Sequence, residues 1–438
     1  MISATLSRRL ALLSFIASAL GLAGCGGGGG GGSGTAQIRT LNLTTDLAAV
    51  DLYTDTTKQF SAQTPDALST YNGLDAASYT LKVTAANDAQ VLLNGSYTLA
   101  KDQHYTAIIW GRQAGIRLST IPEDEDTTSI TSGNSRLRIF NATTDSGTVD
   151  VFLTATSTDL SETTPSQGNL VAGTLSGFRD YSVGSYRLRV TGAGDPNDLR
   201  LDIPNISLGN QQYATLVLTA GAGGVLVNGS LVLQQGALTS MKNSKARARV
   251  VASVSGAGNV NVGLGATTLV GSLRSPGVGP YALVDSGSQT LTVRINGTVT
   301  STSTPALASG ADYTLLAYGT AAAGKVALLT DDNRVPSGTT GAKIRLVNGL
   351  SLSDPLSLQI VYQTKPTTSN IVSGAASGYD TFTAASSSQL DITSPTALDP
   401  LYSLTAVSGA NLLQAQGVYT VFMLDGQTNP AGRLSKDR

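Results

Sequence analysis

The chain has 438 residues, carries a formal net charge of −1, and only 13% of its residues are charged. A near-neutral balance excludes the electrostatic footprint that nucleic acid or polybasic membrane contact requires. One cysteine and one histidine leave almost nothing from which to build a zinc site or a disulfide framework, and neither a cofactor nor a metal is implied.

In chain order, the first element is a short cationic stretch, Arg8-Arg9, followed by the apolar run Leu10 to Leu22 and then Leu22-Ala23-Gly24-Cys25. The apolar run is short for a membrane span and suits the core of an export signal. Small residues before a lone cysteine resemble the lipobox of bacterial lipoproteins. That resemblance implies cleavage between Gly24 and Cys25, with Cys25 carrying lipid. Residues 1–24 are then a signal peptide. The partner it implies is a membrane, engaged through the N-terminal lipid, since two or more acyl chains anchor stably where one does not. Gly26, rather than Asp, after the cysteine implies the outer membrane of the bacterial cell envelope and leaves the face of that membrane open. Residues 25–35 are dominated by seven consecutive glycines, Gly26 to Gly32. They have no side chain to bury, so they read as a flexible tether with a span of roughly 17 Å. No strand precedes them and no Lys-Ser/Thr follows, which argues against a phosphate-cradling loop.

Four similar segments follow. The first opens at Arg39-Thr40-Leu41-Asn42, continues through Val50-Asp51-Leu52-Tyr53, places Tyr71 before Tyr79 to Val83, and ends in the apolar run Tyr105 to Gly111. The second repeats the order with Arg138 to Asn141, Val149 to Phe152, Phe178, Tyr186 to Val190 and Tyr213 to Leu218. The third has Arg249 to Ala252, Val260 to Gly263, Tyr281, Gln289 to Val293 and Tyr313 to Gly319. The fourth has Arg345 to Asn348, Leu358 to Val361, Tyr379, Gln389 to Ile392 and Tyr419 to Leu424. Period-two alternation, β-branched and aromatic enrichment and Asn-Gly turns mark each as a set of about seven short strands. The fold class is all-β: four tandem immunoglobulin-like antiparallel β-sandwiches over 36–122, 134–238, 246–331 and 342–438, arranged like beads in a row. The apolar runs should be central strands, and Tyr53, Phe140 and Trp110 should fill cores. These recurring segments resemble a family of domains of unknown function, family 4397, whose members occur in tandem in secreted and surface lipoproteins. The family brings no established ligand or reaction.

Candidate chemistry is sparse. His104 is expected as a loop residue ahead of a strand. The acidic run Glu123 to Asp126 is expected as a solvated linker, with calcium binding left open because it lacks the spacing of a formed calcium loop. Asp51 and Asp150 are expected to face solvent or pair with a nearby arginine. The recurring arginines should lay their stems on the sheet and keep their heads wet, and the asparagines should satisfy backbone groups. No catalytic residues are assigned. The sequence therefore reads as a non-enzymatic envelope protein presenting modules for adhesion or scaffolding, with binding of an envelope glycan, such as a peptidoglycan component, as the alternative. The oligomeric state is left open.

Overall fold

The computed structural model describes residues 34–352, 354–360, 367–384, 388–407, 412–427 and 429–438. Gly24, Cys25 and the glycine run lie outside them. Among the described residues the protein is built of strands, with two single-turn 3-10 helices. The first unit comprises β1 (Thr35–Thr44), β2 (Val50–Thr54), β3 (Thr57–Gln63), β4 (Asn72–Asp75), β5 (Ser78–Ala85), β6 (Val91–Thr98), β7 (His104–Gly111) and β8 (Arg117–Pro122). They form two sheets, β4-β1-β7-β8 and β3-β2-β5-β6. Ile38, Val50, Leu52, Leu81, Val83 and Ile109 fill the space between them. The other three units repeat this two-sheet plan.

An all-antiparallel arrangement does not describe the first sheet of each unit, which is mixed. β1 and β7 run parallel, as do Asn134–Asn141 with Tyr213–Ala220, Lys245–Ser255 with Asp312–Thr320, and Gly341–Asn348 with Val418–Leu424. The intervening chain crosses to the second sheet and back, and so returns beside the opening strand in the same sense.

The units are packed in twos, not strung like beads. On β1, Ile38 faces the unit's own core, whereas Leu41 and Leu43 face outward. With Ile108, Trp110 and Ile121 they meet Phe140, Ala142, Val217 and Val232 of the second unit. Trp110 and Phe140 meet edge to face, with ring centroids 5.5 Å apart. These two aromatics therefore lie between sandwiches rather than inside one. Units three and four meet in the same way, through Val251 and Leu316 against Val347, Phe422 and Leu424. Because both faces of the sheet are covered, the strands that follow Tyr105, Tyr213, Tyr313 and Tyr419 are almost wholly buried. This accounts for their unbroken apolar runs.

Tyr53 does not fill a core. Alternation turns Val50 and Leu52 inward and Tyr53 outward, where its ring lies under Lys82, 4.2 Å from ammonium to centroid, and Lys58 at 5.4 Å.

The two pairs touch through the loop Gly221-Ala222-Gly223-Gly224. Gly223 donates its N–H to the Gly310 carbonyl at 2.7 Å and accepts from Asn333 N–H at 3.0 Å. Gly224 sits at φ +94°, and a Cβ there would lie 2.7 Å from the Arg334 backbone. Gly224→Val is expected to cost about 1–3 kcal/mol through a left-handed backbone and a backbone clash. Urea unfolding measures this loss, and small-angle scattering should show a larger radius of gyration. An unchanged midpoint and radius would contradict this view of the contact.

Candidate functional site: buried arginine seams

The four recurring arginines are buried, with relative exposures of 4% for Arg39, 7% for Arg138, 3% for Arg249 and 1% for Arg345. Their heads are not wet, because each lies on the sheet face that its partner unit covers. The parallel register sets Arg39 opposite Thr106, Arg138 opposite Thr215, Arg249 opposite Thr314 and Arg345 opposite Thr420. In each case the arginine Nε donates to the threonine Oγ1, at 2.9, 3.1, 2.9 and 3.2 Å. Each guanidinium also lies over the aromatic that precedes the edge strand: Tyr71 at 4.9 Å, Phe178 at 4.4 Å, Tyr281 at 4.5 Å and Tyr379 at 4.8 Å. The opening arginine, the aromatic before the edge strand and the Tyr-Thr run, far apart in sequence, thus converge on one clamp per unit.

Every clamp reaches across its seam. Arg39 donates to the Gly236 and Leu233 carbonyls of unit two, at 2.6 and 3.1 Å. Arg138 donates back to the Pro122 carbonyl at 2.9 Å. Arg249 binds Asp437 through Nη1 and Nη2, at 2.5 and 3.1 Å, while Arg345 binds Asp331 and the Thr330 carbonyl. Asp331 also accepts from Tyr281 Oη at 2.5 Å and Thr314 Oγ1 at 2.6 Å. Burial, followed by the charge of Asp331, holds the Tyr281 hydroxyl well above its ordinary pKa.

The second seam therefore sets two arginines against two aspartates. Among the described residues, the first has a single acid hydrogen-bonded to its arginines: Glu123 pairs with Arg39 at 2.7 Å and accepts from the Tyr71 hydroxyl. At the corresponding hairpin end, unit two has Gln235, which turns to the Glu123 carbonyl and Asp124, both at 2.8 Å. Arg138 has no carboxylate within hydrogen-bond reach among the described residues, and burial lowers its pKa. Comparison of the hairpin ends of the four copies (Glu123, Gln235, Asp331, Asp437) was the signal that could have found these acids in the sequence.

The acidic run is solvated only in its second half, at Glu125 and Asp126. Glu123 is buried in the first seam, Asp124 binds the His104 backbone N–H and, at 2.8 Å, its Nδ1, and Asp126 caps a 3-10 turn through the Thr128 N–H at 2.9 Å. His104 is the first residue of β7 rather than a loop residue, with its ring 5.1 Å from Tyr71 edge to face. Among the described residues no three His, Cys, Asp or Glu side chains group as metal ligands.

Asp51 and Asp150 do not face solvent and do not pair with arginine. Each caps a β-bulge in the neighbouring strand, where an extra residue turns its N–H inward. Asp51 accepts from Ala62 N–H at 2.7 Å and Lys58 Nζ at 2.6 Å. Burial pushes its carboxyl up, but these donors outweigh that and hold it below its ordinary pKa. Asp150 accepts from the N–H groups of Asn169 and Gly194, at 2.7 and 2.9 Å. Ala62 and Asn169 both have positive φ, +49° and +52°. The asparagines do satisfy backbone groups: Asn42, Asn141 and Asn348 tie the first sheet to the second through the carbonyls of Gln63, Leu170 and Ile371, at 2.7 to 2.8 Å.

The model of the domain of unknown function DUF4397 matches residues 36–152 and 246–357, just over half of the chain. The chain belongs to this family. Each DUF4397 match begins at an odd-numbered unit and ends in the second sheet of the next, so it contains both arginines of one seam. No curated protein matches the chain. Among solved structures, a family 26 carbohydrate-binding module from Eubacterium rectale, in complex with maltoheptaose, aligns at 12% identity and a TM-score of 0.15, over 46% of this chain and 97% of the module. The Bacillus anthracis TIE protein aligns at 9% identity and a TM-score of 0.14, over 86% of this chain and 66% of that one. Scores this low say nothing of ligand.

Arg345→Ala leaves Asp331 with a lost partner and should cost about 3–5 kcal/mol, whereas Arg138→Met, which removes a cation that no carboxylate hydrogen-bonds among the described residues, should be close to neutral. Equal losses in urea melts of the two variants would refute the charge asymmetry. Asp332 bridges Lys343 at 3.0 Å and Arg334 at 2.7 Å. Burial raises its pKa, but these cations outweigh that and bring it from the ordinary 3.8 to about 2. A depressed carboxyl stabilises the fold above about pH 4 and loses that contribution as pH falls toward 2. Asp332→Asn should therefore flatten the acid limb between those values in urea titrations at successive pH.

Proposed function

We propose that this protein is a lipid-anchored, non-enzymatic component of the bacterial cell envelope, held at the outer membrane through Cys25, and that its paired sandwiches present loops for adhesion or scaffolding. The observation that carries the reading is the use made of the recurring polar side chains. Arginines, threonines, aspartates and asparagines that repeat along the chain are spent on seams, bulges and sheet-to-sheet ties, where they fix shape and do not converge on an open cleft. Paired modules held at a membrane suit multivalent contact better than turnover.

The competing reading is recognition of an envelope glycan. Such recognition would have to rely on hydrogen bonds from Thr, Ser and Asn loops rather than ring stacking, because every aromatic side chain among the described residues is buried or only partly exposed.

Cys25→Ser should move the protein from the membrane fraction to the soluble fraction, with loss of the lipid mass from its N-terminal peptide. Cells lacking residues 36–438 of the chain should lose surface attachment. Unchanged attachment would reject the adhesive role, and a sugar retained from a glycan array by the full chain would favour the competing one.

A further inference from the structure

Where the second unit meets the other pair, a crevice of ≈ 290 Å³ is lined by Arg200, Arg247, Arg438, Ser146, Asp198 and Asp437. Three of these are guanidinium groups brought from three separate parts of the chain. Arg200 is neutralised by Asp198 and donates to the Ser146 carbonyl. Arg247 holds Asp312 with two of its nitrogens, Nε at 2.9 Å and Nη2 at 2.6 Å, which leaves Nη1 uncommitted. Asp437 is already taken by Arg249 and Thr420. Arg438 differs from the others: its side chain donates only to the Gly224 carbonyl, at 3.2 Å, and no carboxylate pairs with it among the described residues. The fully buried Ser146, on the same wall, has an Oγ without a hydrogen-bond partner.

We propose that this crevice is a binding site for a tetrahedral oxyanion, phosphate or a phosphate ester, held chiefly by Arg438 and Arg247. Guanidinium groups approaching from different directions match a tetrahedral anion, and their forked donors bind its oxygens in pairs. An unpaired cation withdrawn from water is costly, and an anion relieves that cost. Burial, then the charges of Arg200 and Arg247, lower the Arg438 pKa to about 10, although Asp145 and Asp312 act against this. Asp198 and Asp437 face the same space, but each is bound to an arginine of its own and does not serve Arg438.

Thermal unfolding of the full chain at low ionic strength tests the site. At 10 mM, inorganic phosphate should raise the midpoint by about 2–4 °C over sodium chloride of equal ionic strength. Stabilisation by inorganic phosphate alone assigns the site to the free ion, and stabilisation by glycerol phosphate as well assigns it to a phosphate borne by a larger molecule. Arg438→Gln should abolish the shift, and without phosphate it should be no less stable than the parent. Arg433→Gln, on an exposed part of the preceding strand, should keep the shift. Should Arg438→Gln fail to fold, Arg438→Lys keeps the charge, loses the fork, and should weaken phosphate binding at least fivefold by titration calorimetry. Absence of a phosphate-specific shift, or a shift of unchanged size in either Arg438 variant, overturns the site.

Discussion

A buried guanidinium gripped by a threonine hydroxyl on one side and an aromatic ring on another is the interaction on which the architecture rests. It occurs four times, always on the sheet face that meets a second sandwich. Lysine could not replace it. Only the planar fork can donate Nε to the adjacent strand, lie flat on the ring and still extend Nη groups across the seam. Buried ion pairs are poor sources of net stability, because desolvation cancels much of the Coulomb gain. Their value here lies in geometry: a guanidinium that must find particular carbonyls and carboxylates in the partner unit fixes how two otherwise apolar sheets slide and rotate on one another.

That arrangement explains the composition. A sandwich standing alone would need one polar face on each sheet, and hence more charge. Here the first sheet of every unit is covered twice, by its own second sheet and by a neighbour's first sheet. The low charged fraction follows, and so do the near-continuous apolar strands. The two seams are not equivalent. The second is a closed set of two arginines and two aspartates, whereas the first places Gln235 where an acid would complete it, leaving Arg138 with carbonyl, hydroxyl and ring partners only.

The strands, their order and their fourfold recurrence were legible in the sequence because alternation and turn chemistry are local. What lay beyond reach was the identity of the second covering surface. An arginine amid Thr, Leu and Asn has the same pattern whether its head reaches water or a neighbouring domain, and only the pairing of sandwiches decides between them. The same holds for Asp51 and Asp150. Their burial depends on bulges in the next strand, at Ala62 and Asn169, which strict alternation does not reveal. Tyr53 is the reverse case: the parity of Val50 and Leu52 already points it outward, against the inward preference of an aromatic ring. Glu123 reads as part of a solvated run because its neighbours are acidic, whereas its place at the end of a hairpin beside β1 sets its role.

The parallel pairing of β1 with β7 has a consequence for the lineage of the molecule. Gln37 lies beside His104, and Tyr105 beside Pro122, so the chain arrives at and departs from a sandwich at the same end. A segment whose two ends adjoin can be copied or lost at the level of the gene with little disturbance to what flanks it. Elongation by duplication then meets one restriction: copies added in even numbers leave every arginine-bearing face covered, and an odd copy would present a bare one.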